Sequence, residues 1–127
     1  MSKCLTILPC VTLIGLLLSG CAAPPAADPV AGRTDADIER GQQLAEQGLD
    51  EQALRAFAAA LEKNPRLTDA HMGIGHINRE RGNYEMAAKA YENATRIEPN
   101  NFDAHYCLGD AAQMLGQMNR AVRAYLK

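Results

Sequence analysis

Tryptophan is absent from this 127-residue chain, and the few phenylalanines and tyrosines make up only 5% of it. Any core must therefore come from close-packed small residues, of which alanine and glycine are plentiful. Serine is scarcer still. Ser2 and Ser19 are the only two, both within the first 21 residues, so no serine-based catalytic triad can be assembled downstream. Cys4, Cys10 and Cys21 lie in that same segment and leave Cys107 alone, which excludes a disulfide framework in the rest of the chain. Lys and Arg number 13 against 15 Asp and Glu, a net charge of −2, so the chain lacks the basic footprint of a nucleic-acid binder. Hydrophobic residues at 47% and charged ones at 22% are ordinary for a single small globular domain.

No apolar run is long enough for a permanent membrane span. The longest reaches from Leu5 to Leu18, contains Pro9, and falls short of the roughly 20 residues a bilayer requires. With Lys3 before it and small residues after it, the run has the layout of a secretory signal peptide. Its end, Leu18-Ser19-Gly20-Cys21, resembles the lipobox of bacterial lipoproteins. That resemblance implies a signal peptide over 1–20, cleavage before Cys21, and a thioether-linked diacylglycerol plus an acyl chain on Cys21. Three chains anchor far more firmly than one. Ala22 in place of Asp points to the periplasmic face of the outer membrane. Residues 22–33 hold three of the six prolines and almost no charge, so 21–33 reads as a lipidated cysteine on a disordered tether with a reach of ~20 Å.

Everything after the tether obeys a period of 34 residues. Pro65 recurs as Pro99, Gly41 as Gly75 and Gly109, Gly48 as Gly82 and Gly116, and Ala53 as Ala87 and Ala121. The aromatic set Phe57, Tyr91 and Tyr125 keeps the same register. Such a period marks stacked supersecondary units. Each unit reads as two helices: Gly48, Gly82 and Gly116 turn the chain between them, and Pro65 and Pro99 end the second. The first glycine of each unit and the alanine leave room for close approach, which the aromatic then fills. Thr34 to Asp37 has a capping-box pattern that would start the first helix.

The spacing and these residues resemble the tetratricopeptide repeat over residues 34–127. The resemblance implies an all-α, right-handed solenoid of units 34–67, 68–101 and an incomplete 102–127, about two and three-quarter repeats. The third unit has 26 residues where 34 are needed, so a fragment of a longer array is expected, with Val122 and Tyr125 partly uncovered. Asp37, His71 and His105 stand where the family favours a bulky aromatic. In the family, first helices line a concave groove. The resemblance assigns to it Ile38 and Gln42, then Met72, His76 and Arg79, then Tyr106, Asp110, Gln113 and Met114. The residues that clamp a terminal carboxylate in one subclass are missing here. The groove reads instead as acidic with an apolar floor, suited to a peptide or helical segment bearing some positive charge.

Catalysis is not expected. His105 and Cys107 are two apart on one helix and do not face each other. His76, Asp110 and Met72 read as ordinary groove residues rather than metal ligands, and neither a cofactor nor a small-molecule substrate is expected. The combined pattern resembles the pilotin and pilus-assembly lipoproteins, which implies a scaffold in the cell envelope. A regulatory or substrate-binding subunit of a cell-wall enzyme, and a purely structural envelope lipoprotein, are the other readings.

Overall fold

The structure, a computed structural model, describes residues 29–127; the signal peptide, Cys21 and most of the tether lie outside the described residues. Six helices follow one another: α1 (Pro29–Glu46), α2 (Asp50–Lys63), α3 (Thr68–Glu80), α4 (Tyr84–Ile97), α5 (Phe102–Met114) and α6 (Met118–Tyr125). They pair as α1–α2, α3–α4 and α5–α6, and the pairs stack through α2 on α3 and α4 on α5. No strand occurs among the described residues. The architecture is an all-α helical-repeat solenoid.

Each hairpin turns in the same way. Gly48, Gly82 and Gly116 have φ of 72°, 76° and 71°, a conformation that costs other residues energy because of their Cβ. The following amide reaches back five residues: Leu49 N–H to Leu44 O at 2.9 Å, Asn83 to Asn78 at 2.8 Å, Gln117 to Ala112 at 2.9 Å. This is the Schellman closure, repeated three times. At the other end of each unit, Asn64 and Glu98 leave the helical region just before Pro65 and Pro99, as a residue preceding proline is driven to do.

The 34-residue glycines act through missing side chains. A Cβ on Gly41 would lie 2.7 Å from the Phe57 ring, and one on Gly75 or Gly109 would lie 2.4 Å from Tyr91 or Tyr125. Gly73 adds a second approach, 2.4 Å from Phe57, so this ring is gripped between α1 and α3. Phe57 and Tyr91 are the largest fully buried side chains, each at the centre of an alanine-lined core. Cys107 occupies the Gly73 register one unit later and is buried in the core around Tyr91.

Two expectations about the first unit are corrected. Helix α1 begins at Pro29, five residues before Thr34, so the last part of the expected tether is helical. Thr34 is not a cap: it lies inside α1 and is 3% exposed. Proline is well tolerated in the first turn, where its missing N–H satisfies no intrahelical bond anyway. The histidines at the fourth position replace the expected aromatic contact with hydrogen bonds to the inter-repeat turns. His71 Nε2 pairs with the Pro65 carbonyl at 3.1 Å, and His105 Nε2 with that of Pro99 at 2.9 Å. Asp37, at that register in unit one, forms an ion pair with Lys63.

Candidate binding groove

Between α1 and α3 lies a concave hollow of about 380 Å³. Gly73 has no side chain, so the buried Phe57 ring packs against its backbone and lies, with Ile77, directly beneath the floor beside Met72. Gln42 and Ala45 of α1 form one wall and His76 of α3 the other. Glu46, Asp69 and Glu80, all exposed, stand at its margins, and no lysine or arginine lines it. An apolar floor ringed by carboxylates attracts a cation that carries its own apolar stem.

The groove histidine is held from below. Tyr91 Oη lies 3.1 Å from His76 Nδ1, with the two rings edge to face at 5.6 Å. Burial lowers the His76 pKa from 6.5; the neighbouring Arg79 guanidinium lowers it further, and Glu80 pulls the other way. A neutral imidazole accepting from the Tyr91 hydroxyl fits that direction. Burial likewise pushes the Tyr91 hydroxyl and the Cys107 thiol up, so both stay protonated at neutral pH. Cys107 is thus a packed, protonated thiol, and the His105 beside it in sequence is engaged with Pro99.

The residues assigned to one groove separate into four settings. Gln42, Met72 and His76 line the hollow. Ile38 does not; it is 8% exposed and packs in the Phe57 core. Tyr106, Gln113 and Met114 of α5 do not line the hollow either. Tyr106 is 54% exposed and stacks on Phe102 at 6.3 Å and against Tyr125 at 5.8 Å. Gln113 accepts a long 3.4 Å hydrogen bond from the Tyr125 hydroxyl, and Met114 is exposed. Arg79 and Asp110, 3.5 Å apart, join α3 to α5 and neutralise each other. Sequence reasoning missed Tyr91 as the support of His76 and Gly73 as the seat of the Phe57 ring beneath the floor. The second could have been found by asking which 34-residue register breaks: Gly73 has no glycine counterpart at Glu39 or Cys107.

Comparison with known proteins agrees with this geometry. A sequence model of the TPR (tetratricopeptide) repeat matches residues 75–116. The second TPR domain of Spaghetti (RPAP3), solved bound to the HSP90 peptide SRMEEVD, superposes with a TM-score of 0.70 at 18% identity, covering 74% of this chain and 87% of that one. The chain folds as a tetratricopeptide-type helical repeat. A mutant O-GlcNAc transferase from Thermobaculum terrenum gives the same TM-score at 25% identity and covers 77% of this chain, but this chain spans only 19% of the transferase. No curated protein sequence matches significantly. The tetratricopeptide solenoid explains why the groove lies where it does, since first helices of successive units form one concave wall.

Proposed function

We propose that this chain is a non-catalytic interaction scaffold whose α1–α3 groove receives a protein segment carrying basic and apolar side chains. The observation that carries this reading is the groove itself: an apolar floor of Met72 over the Phe57 ring, three carboxylates at its rim, and no cation in its lining. The peptide-bound Spaghetti domain supports a peptide partner for this fold. Its peptide, SRMEEVD, carries three acidic residues against one arginine, and the rim of this groove would repel it. The segment that fits here has the opposite charge.

We further propose that Cys21 carries the lipid anchor and that the scaffold serves assembly of a pilus or secretion machine at the outer membrane. The support is the order of parts in the sequence: lipobox, short tether, helical repeats. The groove reading is tested by fluorescence anisotropy with a labelled helical Lys/Leu peptide and its Glu/Leu counterpart. The basic peptide should bind, and Glu46→Lys with Glu80→Lys should weaken it about tenfold or more, mostly as lost charge attraction. Equal binding of the acidic peptide would end the reading. For the anchor, Cys21→Ser should abolish incorporation of labelled palmitate in cells, since a hydroxyl cannot form the thioether.

A further inference from the structure

A second hollow, of about 510 Å³, lies between α4, α5 and α6 and shares no lining residue with the groove. Its charge is one-sided. Arg96, Arg120, Arg123 and Lys127 stand around it against a single carboxylate, Glu92. Arg120 holds Glu92 at 2.5 Å and also donates to Gln117 Oε1 at 2.8 Å. Glu92 therefore neutralises one cation and leaves three. The chain as a whole carries −2, so this concentration does not reflect a general excess of basic residues.

The repeat supplies an internal control. Moving each lining position back by 34 residues carries the cleft onto the junction of the first two units. There Arg96 becomes Glu62, Arg120 becomes Met86, Arg123 becomes Lys89 and Lys127 becomes Asn93, while Glu92 becomes Ala58. One cation faces one carboxylate. That junction nevertheless packs in the same way, with Ala90 buried in the register of Ala124. Stacking does not require the four cations. Gathering them round one hollow adds mutual repulsion that a bound anion would relieve.

We propose that this cleft is a binding site for a compact polyvalent oxyanion of the phosphate class. Guanidinium forks match phosphate oxygens in geometry and charge. A phosphate monoester brings about −1.5 to −2 charges at neutral pH, which suits three uncompensated cations better than a lone carboxylate does. The cations ring a hollow rather than line a long groove, which favours a compact group over an extended acidic chain. Leu108 and Ala124 give the hollow an apolar wall for whatever bears the phosphate. A soluble phosphate monoester and a lipid headgroup ending in a phosphate monoester share this chemistry.

The test titrates the full chain with inorganic pyrophosphate at low salt and follows amide chemical shifts. Shifts should be confined to the C-terminal half of α4, the start of α5 and α6. Arg96→Glu with Arg123→Glu should weaken binding about tenfold or more, and Arg40→Glu with Arg55→Glu, the same charge change elsewhere, should not. Should the reversed pair fail to fold by circular dichroism, Arg96→Gln with Arg123→Gln gives the same comparison. Phosphatidic acid vesicles, which present a phosphate monoester, then separate the sources. Co-sedimentation abolished by the Arg96/Arg123 pair identifies a lipid headgroup, and pyrophosphate binding without co-sedimentation identifies a soluble ester. Absence of shifts at millimolar pyrophosphate, equal loss in the control pair, or tighter binding of polyglutamate than of pyrophosphate would overturn the proposal.

Discussion

Gly75 and Gly109 occupy the same register and make the same 2.4 Å approach to an aromatic ring, yet their rings differ in freedom. Tyr91 is fully buried, whereas Tyr125 is 42% exposed. Gly75→Ala must force a buried ring off its seat, an overpacking cost of about 1–3 kcal/mol that exceeds the gain in helix propensity. Gly109→Ala can push its ring toward water, and the propensity gain of about 1 kcal/mol should leave stability within about 0.5 kcal/mol of the parent. Urea midpoints decide it, and equal losses at both sites would mean that ring burial is irrelevant. Burial also governs the titration of His76. Because the His76 pKa is lowered on folding, mainly by burial, the unfolded chain binds more protons below about pH 6.5. The His76 contribution is thus fully present above that pH and is lost as the pH falls through the lowered value. Between about pH 7 and 5 the melting temperature of His76→Gln should fall less steeply than the parent's. Parallel curves would show that His76 does not carry the slope.

Among the elements, α6 is the weakest. It spans eight residues, buries only Ala121 and Ala124, and has no side-chain cap at its start. Val122 and Tyr125 are 48% and 42% exposed. A helix this short has no stability apart from its packing. Amides of α6 should therefore exchange much faster than those of Ala87–Ala94 in α4, and protection of α6 equal to that of α4 would contradict this. How far each element was legible follows from the kind of signal it carried. The hairpin turns were readable because only glycine suits a positive φ, so Gly48, Gly82 and Gly116 stood out. The start of α1 was not, because Thr34 and Asp37 form a local capping pattern that burial of Thr34 against the fold overrides. The fifth position shows the limit most plainly. Ile38, Met72 and Tyr106 share one register but end in the core, on the groove and in an exposed aromatic stack. Register fixes which way a residue leaves its helix; the neighbouring helix, invisible in a 34-residue period, decides what it meets.

At the scale of the whole molecule, the two cores are joined end to end rather than merged, and each is centred on one ring. Phe57 leaves α2 and is gripped by Gly41 of its own unit and Gly73 of the next. It is at once the core of the first unit and the interface to the second. In a repeat array, stability is approximately a sum of unit and nearest-neighbour terms, so a residue serving both should have a large but local effect. Phe57→Ala should cost about 3–5 kcal/mol as a large-to-small change at a site 1% exposed. The loss should fall on α1, α2 and the facing side of α3, and it should also disturb the groove, whose floor rests on the Phe57 ring. Tyr91, packed with Cys107, Leu108 and Ala111 of α5, should keep α4 and α5 together. Hydrogen exchange on the variant measures this directly: protection should collapse in α1–α2 while α4 and α5 retain most of theirs. A uniform loss across all six helices would show instead that the solenoid unfolds as one cooperative body. In that case the two ring-centred cores would be a single energetic unit despite their separation in space.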